Sequence, residues 1–580
     1  MDMKNKLINI IILLFIKTNN KMNEYKFTTP KGDYETWDIY NADNNLVEDD
    51  NLNPLQHKLF NNDIYILNKE NLEIIDSEVR KKNIPGVLVL ENNRKYGSVN
   101  KKYLYKCIPD DITIPMFLIP YVPTIGFNKK MFNKYIIFKY DNWDGKHPIG
   151  RIIEIFGDVD IVQNFYNYQL HCKNIFISKK PFDKKIIKKL KTKSIDEHIK
   201  DIMNKYNIID DTERENIYSI DPKGSKDIDD AVSIDRLDSG GFKLSIYIAN
   251  VPIWLDYFNA WDDITNQTAT IYMPTSKRTM LPKVLSDNIC SLLENKSRIS
   301  FVLDIHFNEK MDMTSCNFSN KLINVKKNMK YNDNLNENKD YNLLYNFIKH
   351  LNEERKYIDE IKDSHDVVAY TMILMNYLSA LELKKNKNGL FRSITLKQDI
   401  KTDIYSPNIN KFLTLWKNNT CKYCDYDEIG PHDLLKLESY THITSPIRRI
   451  IDIINMTILQ SNNQILQLND EIKRFLHKWE SNISDINQGM SSIKKVQNDC
   501  KLLHLCNNNF EVLNNTYEGF IFEKTIKKNR FKYSVYLPSL RMVNKYNTTD
   551  DIDIMTSHSF EIYIFMDAIR LKQKIQLKKY

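Results

Sequence analysis

Short alternations of apolar and polar residues fill two parts of the chain, residues 22–174 and residues 510–580. Runs such as GVLVLE and KYIIFKYD in the first part, and YEGFIFE and FKYSVYLP in the second, are separated by polar turns and show no long helical period. Alternation with a period of two at this spacing is typical of short strands in small barrels. We therefore predict β-barrels in both parts of the chain.

Between these parts, strand patterns alternate with helical ones. Asp363 and Ser364 are good N-caps for a helix in which Val368, Met372 and Met375 recur at helical spacing. Residues 324–343 are polar and low in complexity, so we interpret them as a surface insertion without chemistry. The chain has 580 residues, which is enough for several domains.

An apolar run, LINIIILLFI, occupies residues 7–16 and is flanked by lysines. It is shorter than the about 20 residues that span a bilayer. The run fits the apolar core of a signal peptide, although no small-residue cleavage pattern follows it. The alternative that we prefer is that translation begins at Met22 and that residues 1–21 are a spurious leader.

Composition adds only broad limits. The formal net charge of +8 is compatible with a polyanionic partner but does not require one. Eight cysteines in so long a chain do not form a disulfide framework, which favours a reducing compartment. Cys421 and Cys424 form a CxxC pair followed by His432, and because no second pair completes a tetrahedral site, we do not expect zinc. The basic run at residues 179–193 is either a solvated face or a phosphate track.

The strongest chemical pattern is the stretch SIDPKGSKDIDDAV between two predicted strands. It places four aspartates on one short loop: Asp221, Asp227, Asp229 and Asp230. Such like charges repel one another, or some of them hold protons, unless cations lie among them. All-oxygen ligands suit Mg²⁺ or Mn²⁺, and two such ions about 4 Å apart can activate water and stabilise the leaving oxygen of a phosphodiester. A solvated acidic turn or a Ca²⁺ loop is the alternative.

A second motif, YTHITSPIRRIID, combines a helix start with two arginines. Ser445 and Pro446 predict the beginning of a helix, whose free N–H groups attract phosphate. Arg448, in its first turn, can hold a scissile phosphate and offset the charge that develops on it. The alternative for Arg448 is an intrahelical pair with Asp452. Arg449 can serve either purpose.

These two stretches resemble the ribonuclease II and RNase R family, whose catalytic domain is called RNB. The resemblance extends to ATIYMPTSKRTMLPKVLSDNICSLLENKSRISFVLDIHF at residues 269–307, and it is closest to the catalytic subunit of the eukaryotic exosome without that protein's extra N-terminal nuclease domain. It implies an α+β, multidomain fold in which cold-shock-like OB barrels flank a mixed α/β RNB domain. The implied parts are a leader (1–21), a partial cold-shock barrel (22–75), a second cold-shock barrel (76–178), the RNB catalytic domain (179–505) and a C-terminal OB barrel that binds RNA (510–580).

The resemblance also implies a function. This is processive hydrolysis of single-stranded RNA from the 3′ end to nucleoside 5′-monophosphates, by a two-metal mechanism that uses Mg²⁺, with Mn²⁺ as a possible substitute. In this hypothesis the four aspartates hold the metal directly or through water, and Asp229 is catalytic. Arg448 binds and stabilises the scissile phosphate, Arg449 helps to bind substrate, and Tyr272 stands where the family keeps a tyrosine beside the last nucleotide. We expect a cytoplasmic monomer whose partner is single-stranded RNA and not a membrane.

Several positions depart from the family pattern. Asn250 stands where an aspartate is usual, and Ile450 and Met456 replace a tyrosine and a histidine. The residues nearest the place of a family glutamate are Gln497, Asn498 and Asp499. These departures leave open a rival hypothesis, a catalytically impaired RNB-family protein that binds RNA and regulates it. A secreted or membrane-anchored nuclease is a third interpretation, and it rests only on the leader.

Overall fold

The structure is a computed structural model. It describes residues 24–580 except 49–51, 69–70, 124–130, 207, 215, 239, 332, 334, 336–337, 396–404, 407, 411, 414–421, 528–529 and 568–569. The leader, the candidate start Met22 and Cys421 of the CxxC pair lie outside the described residues. No helix in the described part of the chain is both long enough and apolar enough to cross a membrane.

The described residues form an α+β structure in which barrel-like sheets flank a seven-stranded central sheet. This confirms the predicted fold class. The first sheet arises from short strands whose alternate residues, such as Phe27, Ile39 and Tyr65, are buried. Its strands are β1 (Glu24–Thr28), β2 (Asp38–Asn41), β3 (Leu46–Val47), β4 (Ile64–Asn68) and β5 (Asn71–Asp76). Their order in the sheet is β3-β2-β1-β4-β5.

A short helix, α1 (Glu78–Lys81), leads into a second barrel. Its strands are β6 (Asn83–Leu88), β7 (Ser98–Val99), β8 (Lys102–Pro109), β9 (Phe117–Tyr121), β10 (Lys134–Asn142) and β11 (Ile149–Asp158). β6 pairs with both β8 and β10, and β9 pairs in parallel with β11, so the sheet closes with the connectivity of an OB barrel. The two barrels share one core, in which the ring of Phe60 lies 5.9 Å from that of Phe117 and 4.8 Å from that of Trp143.

The basic run at residues 179–193 lies in the helices that connect the second barrel to the central sheet. These helices are α2 (Val162–Cys172), α3 (Lys180–Leu190) and α4 (Ile195–Tyr206). Lys179 Nζ donates to the Leu281 carbonyl at 2.6 Å, and Lys185 forms an ion pair with Asp263. Some lysines of the run therefore fasten α3 to the next domain.

The central sheet has the strand order β12-β19-β18-β15-β14-β13-β20. Its elements, with the helix and hairpin inserted between them, are β12 (Ile209–Asp211), β13 (Tyr218–Asp221), β14 (Asp230–Arg236), β15 (Phe242–Ala249), α5 (Val251–Tyr257), β16 (Ile271–Tyr272), β17 (Lys277–Arg278), β18 (Ser297–Phe307), β19 (Met313–Asn324) and β20 (Lys327–Lys330). β15 and β18 are buried on both faces, which is why their sequences are almost continuously apolar.

Helices pack around this sheet. The remaining elements of this part are α6 (Lys339–Glu354), α7 (Ser364–Lys385), β21 (Phe391–Ser393), β22 (Lys422–Cys424), α8 (Ile450–Asn462), α9 (Asp470–Glu480), α10 (Ile483–Asn508) and α11 (Phe510–Asn514). Short helical turns occur at Glu91–Asn93, Trp261–Asp263, Leu285–Ile289 and Asp433–Leu435. The predicted helix after Asp363 is confirmed as α7, and the Asp363 side chain caps it by accepting the Asp366 amide at 3.1 Å.

The interpretation of residues 324–343 as a surface insertion is wrong. Residues 327–330 form β20, which pairs in parallel with β13 and places Lys330 opposite Asp221. Met329 is buried, and the Asn328 side chain donates to Ser219 Oγ at 2.8 Å. The edge of β13 is thus covered by a polar strand, which puts this segment directly beside the aspartate loop.

The C-terminal barrel comprises β23 (Thr516–Lys527), β24 (Arg530–Leu537), β25 (Met542–Thr548), β26 (Thr556–Asp567) and β27 (Lys572–Lys579). Its order, β25-β24-β23-β26-β27, repeats that of the first barrel. The ammonium group of Lys572 forms an ion pair with Asp110, at 2.5 Å, and so joins this barrel to the second one. We keep the domain limits 22–75, 76–178, 179–505 and 510–580 as a proposal.

Candidate metal and phosphate site

The aspartate loop connects two neighbouring strands of the central sheet. Asp221 is the last residue of β13 and Asp230 is the first residue of β14. Because β13 and β14 are antiparallel, the end of one strand lies beside the start of the other. Gly224, with φ of +87°, makes the turn between them in a conformation that other residues rarely adopt. Local strand and turn chemistry therefore brings these two carboxylates together.

Asp229 joins the aspartate loop to the arginine motif. Its Oδ1 accepts the backbone amide of Ile447 at 2.9 Å, and its Oδ2 accepts Nε of Arg448 at 2.9 Å. A second hydrogen bond fixes the Arg448 guanidinium, because its Nη2 donates to Ser445 Oγ at 2.9 Å. The two stretches singled out in the sequence thus form one site, although more than 200 residues separate them.

Asp227 faces the predicted nucleotide-binding tyrosine. The Tyr272 hydroxyl donates to Asp227 Oδ2 at 2.7 Å, and Lys277 Nζ donates to Oδ1 at 3.0 Å. The Tyr272 side chain belongs to the short hairpin β16–β17 and remains 42% exposed. Its backbone amide donates to Gln497 Oε1 at 2.7 Å, so α10 holds the main chain from which the ring projects.

Asp221 and Asp230 carry the unbalanced charge of the site. Neither forms an ion pair with any residue that the structure describes, and Asp221 Oδ2 is buried without a hydrogen-bond partner. Burial, together with the nearby Asp227, raises the pKa of Asp221 to about 6. Burial and the carboxylates of Asp221 and Asp229 raise the pKa of Asp230 well above its usual range. A buried carboxylate oxygen without a partner, beside carboxylates with raised pKa values, is typical of a cation site built from oxygen ligands.

The four aspartates are not drawn together into a tight cluster. Among the described residues, the group of ligating side chains whose ligand atoms all lie within 4.8 Å of one another is Asp363, His365 and Asp366, on the exposed start of α7. Asp227 instead accepts a hydrogen bond from the Lys277 ammonium group, and Asp229 accepts one from the Arg448 guanidinium. Lys277 and Arg448 therefore balance part of the charge that a metal ion would otherwise balance.

The arginine loop differs from the prediction in one respect. Helix α8 begins at Ile450 and not at Ser445. The Ser445 carbonyl accepts the amides of Arg448 and Arg449 at 3.1 and 3.0 Å, in a turn that ends before the helix. The predicted position of Arg448 in the first turn of the helix is therefore wrong.

A strand contact explains the delayed start of α8. The amide of Thr270 donates to the Arg448 carbonyl, and the amide of Ile450 donates to the Thr268 carbonyl, each at 2.9 Å. These bonds hold Arg449 in an extended conformation, with φ of −137°. Thr270 lies two residues before Tyr272, so the same contact couples the arginine loop to the tyrosine hairpin.

Arg449 is engaged by a buried carboxylate. Its Nε and Nη2 each lie 2.7 Å from an oxygen of Asp452, whose side chain is fully buried. Asp452 Oδ1 also accepts the amide of Ser445 at 2.8 Å. The pairing with Asp452 that was the alternative for Arg448 thus belongs to Arg449, and a substrate-binding role for Arg449 stays a prediction.

Two histidines lie behind this loop without charge. Burial and the neighbouring arginines lower the pKa of His442 well below its usual range, and burial lowers that of His432 to about 4. His442 Nδ1 contacts the Tyr423 hydroxyl at 2.7 Å and its Nε2 lies 3.2 Å from Arg392. Both rings act as neutral parts of the core.

Sequence reasoning missed Lys277 and Tyr331, and it named Gln497 only as lying near the place of a family glutamate, without assigning it a role. Lys277 and Gln497 contact Asp227 and Tyr272, as described above. Burial, followed by the nearby Asp230 and Asp221, raises the pKa of the Tyr331 hydroxyl to about 12. No local pattern marks Tyr331, because it follows the polar strand β20. Lys277 was detectable in principle, since it stands in the TSKR turn five residues after Tyr272.

The raised pKa of Asp221 predicts a pH-dependent cost in the metal-free chain. Because folding raises this pKa from 3.8 to about 6, the ionised carboxylate destabilises the folded state as pH rises through that window. Asp221→Asn removes the cost. We expect its free energy of unfolding to exceed that of the parent by a margin that grows between about pH 4 and pH 6 and reaches about 1 to 3 kcal/mol. Urea unfolding in chelator measures this margin.

The exposed Asp238, two residues beyond the end of β14, provides the control for that measurement. Asp238→Asn makes the same change of side chain outside the site and should keep the free energy of unfolding within about 0.5 kcal/mol of that of the parent. Parallel pH profiles for the parent and Asp221→Asn would show that Asp221 carries no such cost.

Comparison with known proteins places this site in a family context. Residues 209–339 and 334–464 match the family profile described as the RNB domain. The exosome complex exonuclease RRP44 homolog A of Arabidopsis thaliana is 25% identical over 209 residues, which is 35% of this chain and 22% of that protein. The chain spans between 20% and 26% of the length of this relative and of the exonuclease RRP44 of mouse and the ribonuclease R of Thermotoga maritima.

Solved structures share the fold over nearly the whole chain. The apo form of Mycoplasma genitalium RNase R aligns with a TM-score of 0.70 at 17% identity and covers 96% of this chain and 100% of its own. Yeast Ssd1, described as a pseudonuclease, aligns with a TM-score of 0.58 at 12% identity and covers 92% of this chain and 80% of its own. The sequence matches and the shared fold confirm the resemblance drawn from the motifs.

Proposed function

The chain carries an RNB domain of the ribonuclease II and RNase R family, and we propose that it is a metal-dependent exoribonuclease that hydrolyses single-stranded RNA from the 3′ end to nucleoside 5′-monophosphates. One observation carries the proposal: Asp229 accepts hydrogen bonds from both Ile447 and Arg448. That contact sets an arginine beside a group of carboxylates. This combination suits phosphodiester hydrolysis, because a cation can stabilise the anionic phosphate and carboxylates can hold a metal ion that activates the attacking water.

The donor set fits Mg²⁺ or Mn²⁺. Asp221 and Asp230 would bind the ion directly, since neither carboxylate is paired with a cation of the described chain. Asp227 and Asp229 would bind it with their remaining lone pairs or through water. A bound ion of this kind lowers the pKa of a water molecule and stabilises the leaving oxygen, and a second ion would share these tasks.

Arg448 is the residue proposed to hold the scissile phosphate. Two of its nitrogens are fixed by Asp229 and Ser445, yet 45% of its side chain is exposed. The remaining N–H groups are therefore available, and their direction is set before substrate arrives. A fixed guanidinium of this kind can stabilise the charge that develops on the phosphate without a reorganisation cost.

Tyr272 is proposed to position the terminal nucleotide. Its ring is partly exposed next to Asp227 and is fixed through its backbone by Gln497. We expect Tyr272→Ala to raise KM for RNA about 5- to 100-fold, because base–aromatic stacking contributes about 1 to 3 kcal/mol. Tyr272→Phe keeps the ring and loses only the bond to Asp227, so its KM should remain near that of the parent. Equal losses in both variants would mean that the hydroxyl, and not the stacked ring, matters.

The barrels are proposed to lead single-stranded RNA to this site and to keep it bound between successive cleavages. Discrimination against DNA would come from contacts with the 2′-hydroxyl. A time course with 5′-labelled RNA and the matching DNA tests direction and selectivity together. The proposal predicts shortening from the 3′ end to a short labelled remnant, with RNA only. Cleavage at internal positions, or equal degradation of DNA, would contradict it.

The second candidate is a catalytically impaired RNA-binding protein, and the family departures favour it. Three of the departing residues are buried. Ile450 and Met456 lie in the core, and Asn250 forms hydrogen bonds with Asn320 and Gln460. They are accommodated by packing, and all four aspartates and Arg448 are retained. We therefore place hydrolysis first.

A further inference from the structure

The C-terminal barrel has two separate apolar clusters. One lies inside the barrel and includes Ile521, Val535 and Tyr546. The other lies on the opposite side of the same strands and is called here the outer face. The outer face consists of Phe520, Phe522, Tyr536 and Val543.

The outer face spans the first three strands of the barrel. Phe520 on β23 is paired with Tyr536 on β24, which is paired in turn with Val543 on β25. The five residues from Tyr533 to Leu537 of β24 are all buried. A barrel strand with one solvated side alternates between buried and exposed residues, so something covers the outer side of β24.

The cover is a segment inserted between β21 and β22. This cover segment consists of residues 405–406, 408–410 and 412–413, and residues 408–410 and 412–413 are helical. The ring of Phe412 stacks on Tyr536 with 3.8 Å between centroids and 3° between planes. Tyr405 meets Phe520 edge to face at 5.0 Å, and Leu413 is almost fully buried. The segment therefore fills the outer face with its own aromatic and aliphatic side chains.

We propose that the outer face is a base-stacking surface for single-stranded RNA, and that the cover segment competes with RNA for it. The proposal rests on the proposed function, since it takes RNA as the ligand. It adds that the C-terminal barrel binds RNA fully only when the chain's own Phe412 leaves Tyr536. The affinity of this barrel for RNA then depends on how readily the cover segment leaves the outer face, as well as on the RNA itself.

Three features point to RNA as the ligand of this face. OB barrels bind oligonucleotides on the face of their second and third strands, which here are β24 and β25. Lys532 and Lys545 alternate with the inward-facing Tyr533 and Tyr546, so they lie on the outer side, where a phosphate would compete with Glu523, which pairs with Lys545 at 3.5 Å. The parallel stack of Phe412 on Tyr536 is the arrangement that a nucleobase adopts on an aromatic platform.

The test measures RNA affinity in chelator, so that no RNA is consumed. We expect Phe412→Ala in the full chain to bind a 5′-labelled single strand at least about fivefold more tightly than the parent, because Tyr536 is uncovered. Tyr536→Ala in the Phe412→Ala background should return the affinity to the parental value. Tyr563→Ala removes an exposed ring from β26, outside the outer face, and should leave the affinity of either background unchanged.

A second measurement does not depend on a substitution. Hydrogen exchange of the amide of Asn410, which donates to the Ser406 carbonyl at 2.9 Å, should become faster when RNA binds the parent chain. Parental affinity in Phe412→Ala, together with unchanged exchange on RNA binding, would overturn this inference alone. A parent chain that binds no RNA would overturn the proposed function as well.

Discussion

Replacing Asp230 with asparagine is expected to abolish hydrolysis and, at the same time, to stabilise the metal-free chain. Asp230 has no ion pair among the described residues, and burial with two carboxylate neighbours raises its pKa. The carboxyl group of Asp230 therefore binds its proton more tightly in the folded state than in the unfolded state. At neutral pH, its ionised form lowers the free energy of unfolding. Asparagine removes that cost but also a metal ligand. We expect kcat to fall at least about 10³-fold, about 4 kcal/mol in the barrier, and the melting temperature in chelator to rise.

The opposite signs of these two effects make the prediction specific. Added Mg²⁺ should raise the melting temperature of the parent and have little effect on Asp230→Asn. Asp238→Asn, two residues beyond the other end of the same strand, should match the parent in both respects. Loss of activity together with loss of stability would indicate a structural role for Asp230, and retained activity would remove it from the metal site.

Replacing Arg448 with lysine is expected to lower kcat about 10²- to 10³-fold while the fold remains intact. Lysine keeps the positive charge near Asp229, but it cannot contact Asp229, Ser445 and a phosphate at once through a planar fork. The loss corresponds to about 3 to 4 kcal/mol of transition-state stabilisation, as for one fixed donor in a site that stabilises developing charge. Single-turnover kinetics under saturating RNA separate this effect from weaker binding.

Arg449 is the matched comparison, since it is the next residue and has a different partner. Its pair with the buried Asp452 also holds the amide of Ser445. Arg449→Lys should therefore reduce the free energy of unfolding by several kcal/mol, about 3 if the pair is lost, whereas Arg448→Lys should change it little. Urea unfolding measures both. The reverse pattern, in which Arg449→Lys is stable and inactive, would move the phosphate-binding role to Arg449.

The carboxylate loop could be predicted from sequence because it depends on neighbours in the chain. Strand patterns before Asp221 and after Asp230, with Pro222 and Gly224 between them, define a turn that needs no distant contact. The barrels were predictable for the same reason, since alternation along each strand records which side is buried. The sequence therefore predicted those parts of the structure that form between residues close together in the chain.

Three features depended on contacts that no local pattern records. Helix α8 starts late because Thr268 and Thr270 take the backbone bonds that would have formed its first turn. The strand at residues 327–330 forms because β13 offers it a free edge, not because its polar sequence favours a strand. The contacts of Lys277 and Gln497 likewise arise only when β17 meets the aspartate loop and α10 meets the hairpin of Tyr272.

The most direct test of the proposed activity is the release of the last nucleotide of an RNA. The parent chain and Asp230→Asn are each mixed with a single-stranded RNA that carries a label in its 3′-terminal nucleotide, with Mg²⁺ or with chelator. We predict that the parent releases the label as nucleoside 5′-monophosphate from the first turnover, only with Mg²⁺, and that Asp230→Asn releases none. Tight binding of the RNA by a folded parent chain, with no labelled mononucleotide at any time, would contradict it and support the RNA-binding alternative.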